Sequence, residues 1–153
     1  MIFNVFIRFK IGLMQKVLVI EDDPEIVELL EIHLKDLSCE LVKTYSGEDG
    51  LNALKDQAMD LVILDVMLPG IDGMEVCRRI RSEQNKVPVL MLTAKSEEID
   101  KVLGLEIGAG DYLTKPFSIR EFIDRVKAIF RRPQMMQASL TANGSNNIAI
   151  GEL

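Results

Sequence analysis

From Lys16 onward, short apolar runs alternate with longer amphipathic stretches. Residues 17–20, 61–64 and 89–92 are continuous hydrophobic runs, the pattern of parallel strands covered on both faces. Residues 40–44 and 111–114 predict two further, less apolar strands. The stretches between them carry helical spacing and helical punctuation. Asp23 offers an N-cap with Pro24 at the first helical position, and Val27, Leu30, Leu34 and Leu37 then recur on one face. Ser46 caps a second predicted helix bearing Leu51, Leu54 and Ala58, and Asp72 a third in which Met74, Cys77 and Ile80 share a face. Ile99, Val102, Leu103 and Ile107 mark a fourth, ending near Gly108. Ser118 and Glu121 form a capping box for a fifth, with Phe122, Val126 and Ile129 inward. Five βα units in succession imply an α/β domain: a doubly wound, five-stranded parallel sheet with helices on both faces and right-handed crossovers.

Composition narrows the class. The 153 residues are 48% hydrophobic and 27% charged, with two cysteines. That excludes collagen-like, disordered and disulfide-scaffold chains, and the length suits one domain. Eighteen basic against 24 acidic side chains give a net charge of −6. Such a chain is repelled by nucleic acid and by anionic membrane, so neither is the expected partner of this segment. No apolar run approaches the roughly 20 residues needed to span a bilayer. Cys39 and Cys77 lack metal-ligand spacing and are expected as reduced thiols in the cytoplasm, Cys77 in the core and Cys39 partly buried. His33, the only histidine, reads as a boundary residue of the first helix.

Residues 1–13 carry only Arg8 and Lys10 as charges and lack the order of a signal peptide. They read as an N-terminal extension, with an extra edge strand as the alternative, since Phe3, Val5, Ile7 and Phe9 alternate. The main domain is expected over 14–132. Residues 133–147 contain no charge and read as a linker. Residues 148–153 are expected to open a further, missing domain.

The candidate chemistry sits directly after the strands. Glu21, Asp22 and Asp23 follow the first, Asp65 the third, Thr93 and Ala94 end the fourth, and Lys115 ends the fifth. In a doubly wound sheet these carboxyl ends share one rim, where ligands bind. Clustered carboxylates repel one another, and burying them together calls for a cation. One or two carboxylates with room left for water and phosphate describe a magnesium site, beside which a hydroxyl and an ammonium can grip a phosphoryl group. Asp23 is given to the helix cap and Asp22 to the metal.

Residues 15–132 resemble the receiver domain of a bacterial two-component response regulator, and in detail the OmpR/PhoB subfamily. The resemblance rests on Glu21-Asp22, Leu64-Asp65, Met67-Leu68-Pro69-Gly70, Leu92-Thr93-Ala94 and the run from Asp111 through Tyr112 and Lys115-Pro116 to Phe117. It implies a flavodoxin-like strand order 2-1-3-4-5. It implies Asp65 as phosphoacceptor from a sensor histidine kinase, and Mg²⁺ (Mn²⁺ substituting) on Asp22, Asp65 and the Met67 carbonyl, with Glu21 acting through water. Thr93, Ala94 and Lys115 would bind the phosphoryl group, Tyr112 would turn inward as the aromatic switch, and the Lys115–Pro116 bond would be cis. The subfamily further implies a homodimer on phosphorylation, pairing Lys101 with Glu121, Asp111 with Arg125 and Glu106 with Arg132. Gly110 stands where an acid is usual, which removes one such pair. DNA binding would come only through the absent domain after Leu153, a winged helix controlling transcription. Catalysis is limited to self-phosphorylation from small donors and self-dephosphorylation.

Rival readings are a stand-alone receiver acting through protein contacts, a Mg²⁺-dependent phosphohydrolase of the haloacid dehalogenase type, and a flavodoxin-like electron carrier. The hydrolase needs a second Asp where this chain has Met67. The electron carrier needs a phosphate loop where it has three acids.

Overall fold

The computed structural model describes residues 14–94 and 108–142. Among them are the strands β1 (Gln15–Ile20), β2 (Cys39–Thr44), β3 (Leu61–Asp65), β4 (Val89–Ala94) and β5 (Asp111–Lys115). The helices are α1 (Pro24–Asp36), α2 (Gly47–Asp56), α3 (Gly73–Ser82) and α4 (Ile119–Ala142). Every strand pair is parallel and the order is β2-β1-β3-β4-β5, the doubly wound arrangement expected. Residues 1–13, the fourth predicted helix and residues 143–153 lie outside the described residues, and so do the candidate edge strand and the start of a further domain.

The three continuous apolar runs are the three inner strands. All of β3 is buried, as are residues 17–20 of β1 and 89–93 of β4, because helices cover both faces. At the edge, β2 exposes Glu40 and Lys43, which is why its run is less apolar. Leu18, Ile20, Val62, Leu64 and Met91 pack with Val76, Cys77 and Ile80 of α3 in one core. Cys39 is fully buried, not partly.

The helix starts are set by side-chain oxygens. Asp23, Ser46 and Asp72 accept from the N–H groups of Glu25, Asp49 and Glu75 at 2.9, 3.1 and 2.9 Å. Each satisfies a donor that the first helical turn leaves open. Val27, Leu30 and Leu34 face inward from α1. The second helix stops at Asp56, short of Ala58, because Gln57 adopts extended backbone; Ala58 is exposed.

Residues Met14–Ile119 form one compact unit, and α4 belongs to another. Phe122, Val126 and Ile129 of α4 are buried. The helix runs through Pro133 to Ala142, so the first ten residues of the expected linker are helical. Absence of charge is no obstacle to a helix. Gln134, Met135, Met136, Gln137 and Ala138 all have good helix propensity, and Pro133 removes one main-chain donor without ending the element.

Candidate functional site

Strand register alone brings the chemistry together. Asp65, the last residue of β3, lies level with Leu92 of β4, so Thr93 stands one residue beyond it. Lys115 ends β5 level with Ala94. Glu21 follows β1 directly, and its N–H donates to the Thr44 carbonyl at 3.2 Å, extending the ladder past the strand end. Glu21, Asp65 and Thr93 are buried, whereas Asp22 is exposed.

Carboxylate oxygens of Glu21, Asp22 and Asp65 lie within 4.8 Å of one another, so this group can hold a metal ion. Oxygen donors alone, two of them buried acids, suit a hard divalent cation. The Lys115 ammonium donates to Glu21 Oε1 at 3.1 Å and stands 3.4 Å from Asp65 Oδ1. Glu21 Oε2 accepts from the Asp23 N–H at 3.1 Å, and Asp65 Oδ1 from the Met67 N–H at 3.2 Å. Among the described residues, the Thr93 hydroxyl makes a long contact, 3.5 Å, to the Ala94 carbonyl.

The electrostatics follow from crowding. Burial, together with the charge of Asp65, pushes the Glu21 carboxyl up to about 7 against the pull of Lys115 and of the Asp23 N–H. For Lys115, burial alone would favour the neutral amine. The hydrogen bond to Glu21 and the charge of Asp65 outweigh it and hold the ammonium above the usual lysine range. A buried carboxylate beside an ammonium and a cation-binding group of acids can attack an electrophilic phosphorus while the developing charge is neutralised.

Residues 17–127 match the family model of the response regulator receiver domain. The chain belongs to that family. A protein of Chloroflexus aurantiacus described as a response regulator is 40% identical, over 76% of this chain and 97% of that one, with a TM-score of 0.72. The receiver domain of Francisella response regulator 1452 is 32% identical, over 78% and 98%, with a TM-score of 0.73. The BeF3-activated DrrB receiver domain is 36% identical, over 77% and 98%, with a TM-score of 0.70. The protein is thus a receiver domain, a phosphoacceptor module of two-component signalling, and such a module implies a histidine kinase partner.

The structure brings Glu21, Asp22, Asp65 and Lys115 of this receiver together, with Thr93 on the neighbouring strand end. The Lys115–Pro116 bond is cis. Ala94 is half-buried, and Tyr112 is half-buried against the core. The Met67 side chain, by contrast, stands 61% exposed beside the acid. On the expected dimer face, Asp111 is buried and its Oδ1 accepts from the Tyr112 N–H at 2.8 Å, so it is not a free surface acid. Lys101 and Glu106 lie outside the described residues. Glu121, Arg125 and Arg132 lie along α4.

Sequence reasoning passed over two residues, Gly73 at this rim and Arg81 at the far end of α3. Gly73 seats the start of α3 against the Asp65–Val66 main chain. Its only sequence signal is a glycine straight after a helix cap, where a better helix former would serve. Arg81 donates Nε and Nη2 to the Gly108 carbonyl at 2.9 and 2.6 Å, and Nη1 to the carbonyls of Asn85 and Val87 at 2.9 and 2.7 Å. It thereby ties the end of α3 to the turns that precede β4 and β5. Nothing in the sequence separates it from Arg78 and Arg79.

Proposed function

We propose that this receiver takes a phosphoryl group from the phosphohistidine of a sensor histidine kinase onto Asp65. The observation that carries the reading is one buried carboxylate at the end of β3 that shares its rim with two further acids and the Lys115 ammonium. Asp65 Oδ attacks phosphorus, the P–N bond breaks, and the imidazole leaves with its electron pair. Lys115, 3.4 Å from Asp65, pairs with the transferred group. The Thr93 hydroxyl turns to a phosphoryl oxygen, the Ala94 main chain moves with it, and Tyr112 follows inward.

The donor set fits Mg²⁺, or Mn²⁺ in its place: Asp22 and Asp65 as direct ligands with the Met67 carbonyl, and Glu21 through a water. When bound, the ion neutralises charge on the phosphoryl oxygens. The chain's own residues orient the acceptor and keep the acids in one group.

The motifs favour the OmpR/PhoB subfamily. On this reading the protein is cytoplasmic, dimerises on phosphorylation, and controls transcription through a winged-helix DNA-binding domain beyond residue 153. Turnover is confined to self-phosphorylation and self-dephosphorylation. The hydrolase reading gains nothing, because the position two residues after Asp65 holds the exposed thioether of Met67, not an acid.

The test is intact-mass measurement after incubation with a small acyl-phosphate donor and Mg²⁺. The expected result is one phosphoryl adduct on the wild type and none on Asp65→Asn. An equal adduct on Asp65→Asn would overturn the reading.

A further inference from the structure

The acceptor's main chain is held from three sides. The Val66 N–H donates to the Leu92 carbonyl of β4 at 2.9 Å, and the Leu68 N–H to the Val66 carbonyl at 3.1 Å. The Gly73 N–H returns from the start of α3 to the same Val66 carbonyl at 2.9 Å. Residues 66–72 therefore leave β3 and come straight back, so that the first residue of α3 backs the peptide that carries Asp65. That approach requires the absence of a side chain. A Cβ on Gly73 would fall onto the Asp65 carbonyl oxygen, and would lie 2.7 Å from Val66 Cα and 2.9 Å from Asp65 C. All three are main-chain atoms, which cannot swing aside as a flexible side chain does.

We infer that Gly73 is a positioning residue for phosphoryl transfer: its bare Cα lets α3 seat against the Asp65–Val66 peptide and fixes the direction in which the acceptor carboxylate emerges. The inference rests on Asp65 being the acceptor. Its consequence is specific. The Asp65 carboxylate must reach phosphorus in line with the leaving nitrogen while keeping its contacts to Lys115 and Met67. A displacement of about 1 Å at a reacting group can cost about 10²-fold in rate. Donor recognition by the other rim groups, Thr93 and Lys115, does not depend on that peptide.

A matched control exists in the same fold. Gly47 is likewise the first residue of its helix after an extended cap, and is likewise crowded. A Cβ there would lie 2.7 Å from Val76 Cγ2 and 3.0 Å from the Ile71 carbonyl oxygen. It touches α3 and the loop before it, but not the acceptor peptide.

The experiment compares wild type, Gly73→Ala, Gly47→Ala and Asp65→Asn. Each is first shown to be folded by circular dichroism, then phosphorylated by a small acyl-phosphate donor in saturating Mg²⁺. The expected result for Gly73→Ala is a maximal rate lowered about 10- to 100-fold with an unchanged half-saturating donor concentration. Gly47→Ala should stay within about threefold of wild type. Equal maximal rates for the two glycine variants, or a loss in Gly73→Ala confined to donor affinity, would overturn the inference. Phosphorylation of Asp65→Asn would overturn the acceptor assignment instead, so the two failures are distinguishable. Should Gly73→Ala not fold, amide NMR of the wild type decides. On adding beryllofluoride with Mg²⁺, the Gly73 resonance should shift and the Gly47 resonance should not; an unshifted Gly73 overturns the inference.

Discussion

Replacing Asp22 by alanine should move stability in opposite directions with and without Mg²⁺. The oxygens of Glu21, Asp22 and Asp65 lie within 4.8 Å of one another. At that separation a like-charge pair costs about 0.9 kcal/mol in the dielectric of water and about 3.5 kcal/mol at an effective dielectric of 20. Asp22 is exposed, so its two pairs, taken at pH 8.5 where Glu21 is ionised, fall towards the lower figure, together about 2 kcal/mol. Its removal also forfeits an anion at the N-terminus of α1, a loss of about 0.3–1 kcal/mol, while Asp23 keeps the cap. The metal-free variant should therefore be more stable than wild type by about 1 kcal/mol, or about 2–4 °C in melting temperature. In Mg²⁺ the order reverses. Metal at 100 times its dissociation constant stabilises the wild type by about 2.7 kcal/mol, and a variant lacking a direct ligand loses most of that. Thermal unfolding followed by circular dichroism, in EDTA and across a Mg²⁺ titration, reads both effects. A variant that gains as much from Mg²⁺ as wild type refutes Asp22 as a ligand. One that melts lower than wild type in EDTA refutes the repulsion.

Arg81→Ala should cost about 2–4 kcal/mol in urea unfolding, since it strips charge-assisted hydrogen bonds from three carbonyls; a loss below about 0.5 kcal/mol would show those carbonyls to be served equally well by water. Burial, with the charge of Asp60 beside it, pushes the Cys39 thiol up to about 11, and burial also raises Cys77. Because the thiolate is the reactive form, Cys39 in the folded protein at pH 7.5 should alkylate on the order of 10²–10³-fold more slowly than a free cysteine, quickening as pH rises towards 11. Rapid labelling of native protein at neutral pH would contradict this. Beryllofluoride with Mg²⁺ should shift sedimentation towards a dimer, weakened by Arg125→Glu; a monomer in both states would sink the dimer proposal.

The inner strands were legible because a strand covered on both faces leaves a continuous apolar run, as at 17–20, 61–64 and 89–92. The helix starts were legible because Asp23, Ser46 and Asp72 cap through their own oxygens, a purely local arrangement. Once the alternation implied a doubly wound sheet, the residues after the strands had to share a rim, and Glu21, Asp22, Asp65, Thr93 and Lys115 followed. What escaped depends on distances between segments far apart in sequence. Gly73 matters through the Asp65 carbonyl that its Cα approaches, and Arg81 through carbonyls up to 27 residues away. Asp111 was expected to pair with Arg125 across a dimer face, and in the structure it sits level with Leu90 at the start of β5 and is buried there. That residues 133–142 are helical did not show in their composition, because helix continuity is a property of the main chain.

The most direct test of the central claim is chemical mapping of the acceptor. An acyl phosphate on an aspartate is reduced by borohydride to homoserine, whereas a phosphate ester on a hydroxyl is not. Protein phosphorylated by a small donor in Mg²⁺, reduced and digested, should yield by tandem mass spectrometry a peptide with homoserine at position 65 and unmodified aspartate at 22 and 23. Homoserine at Asp22 or Asp23, or a phosphorylated protein with no homoserine at all, would contradict the account.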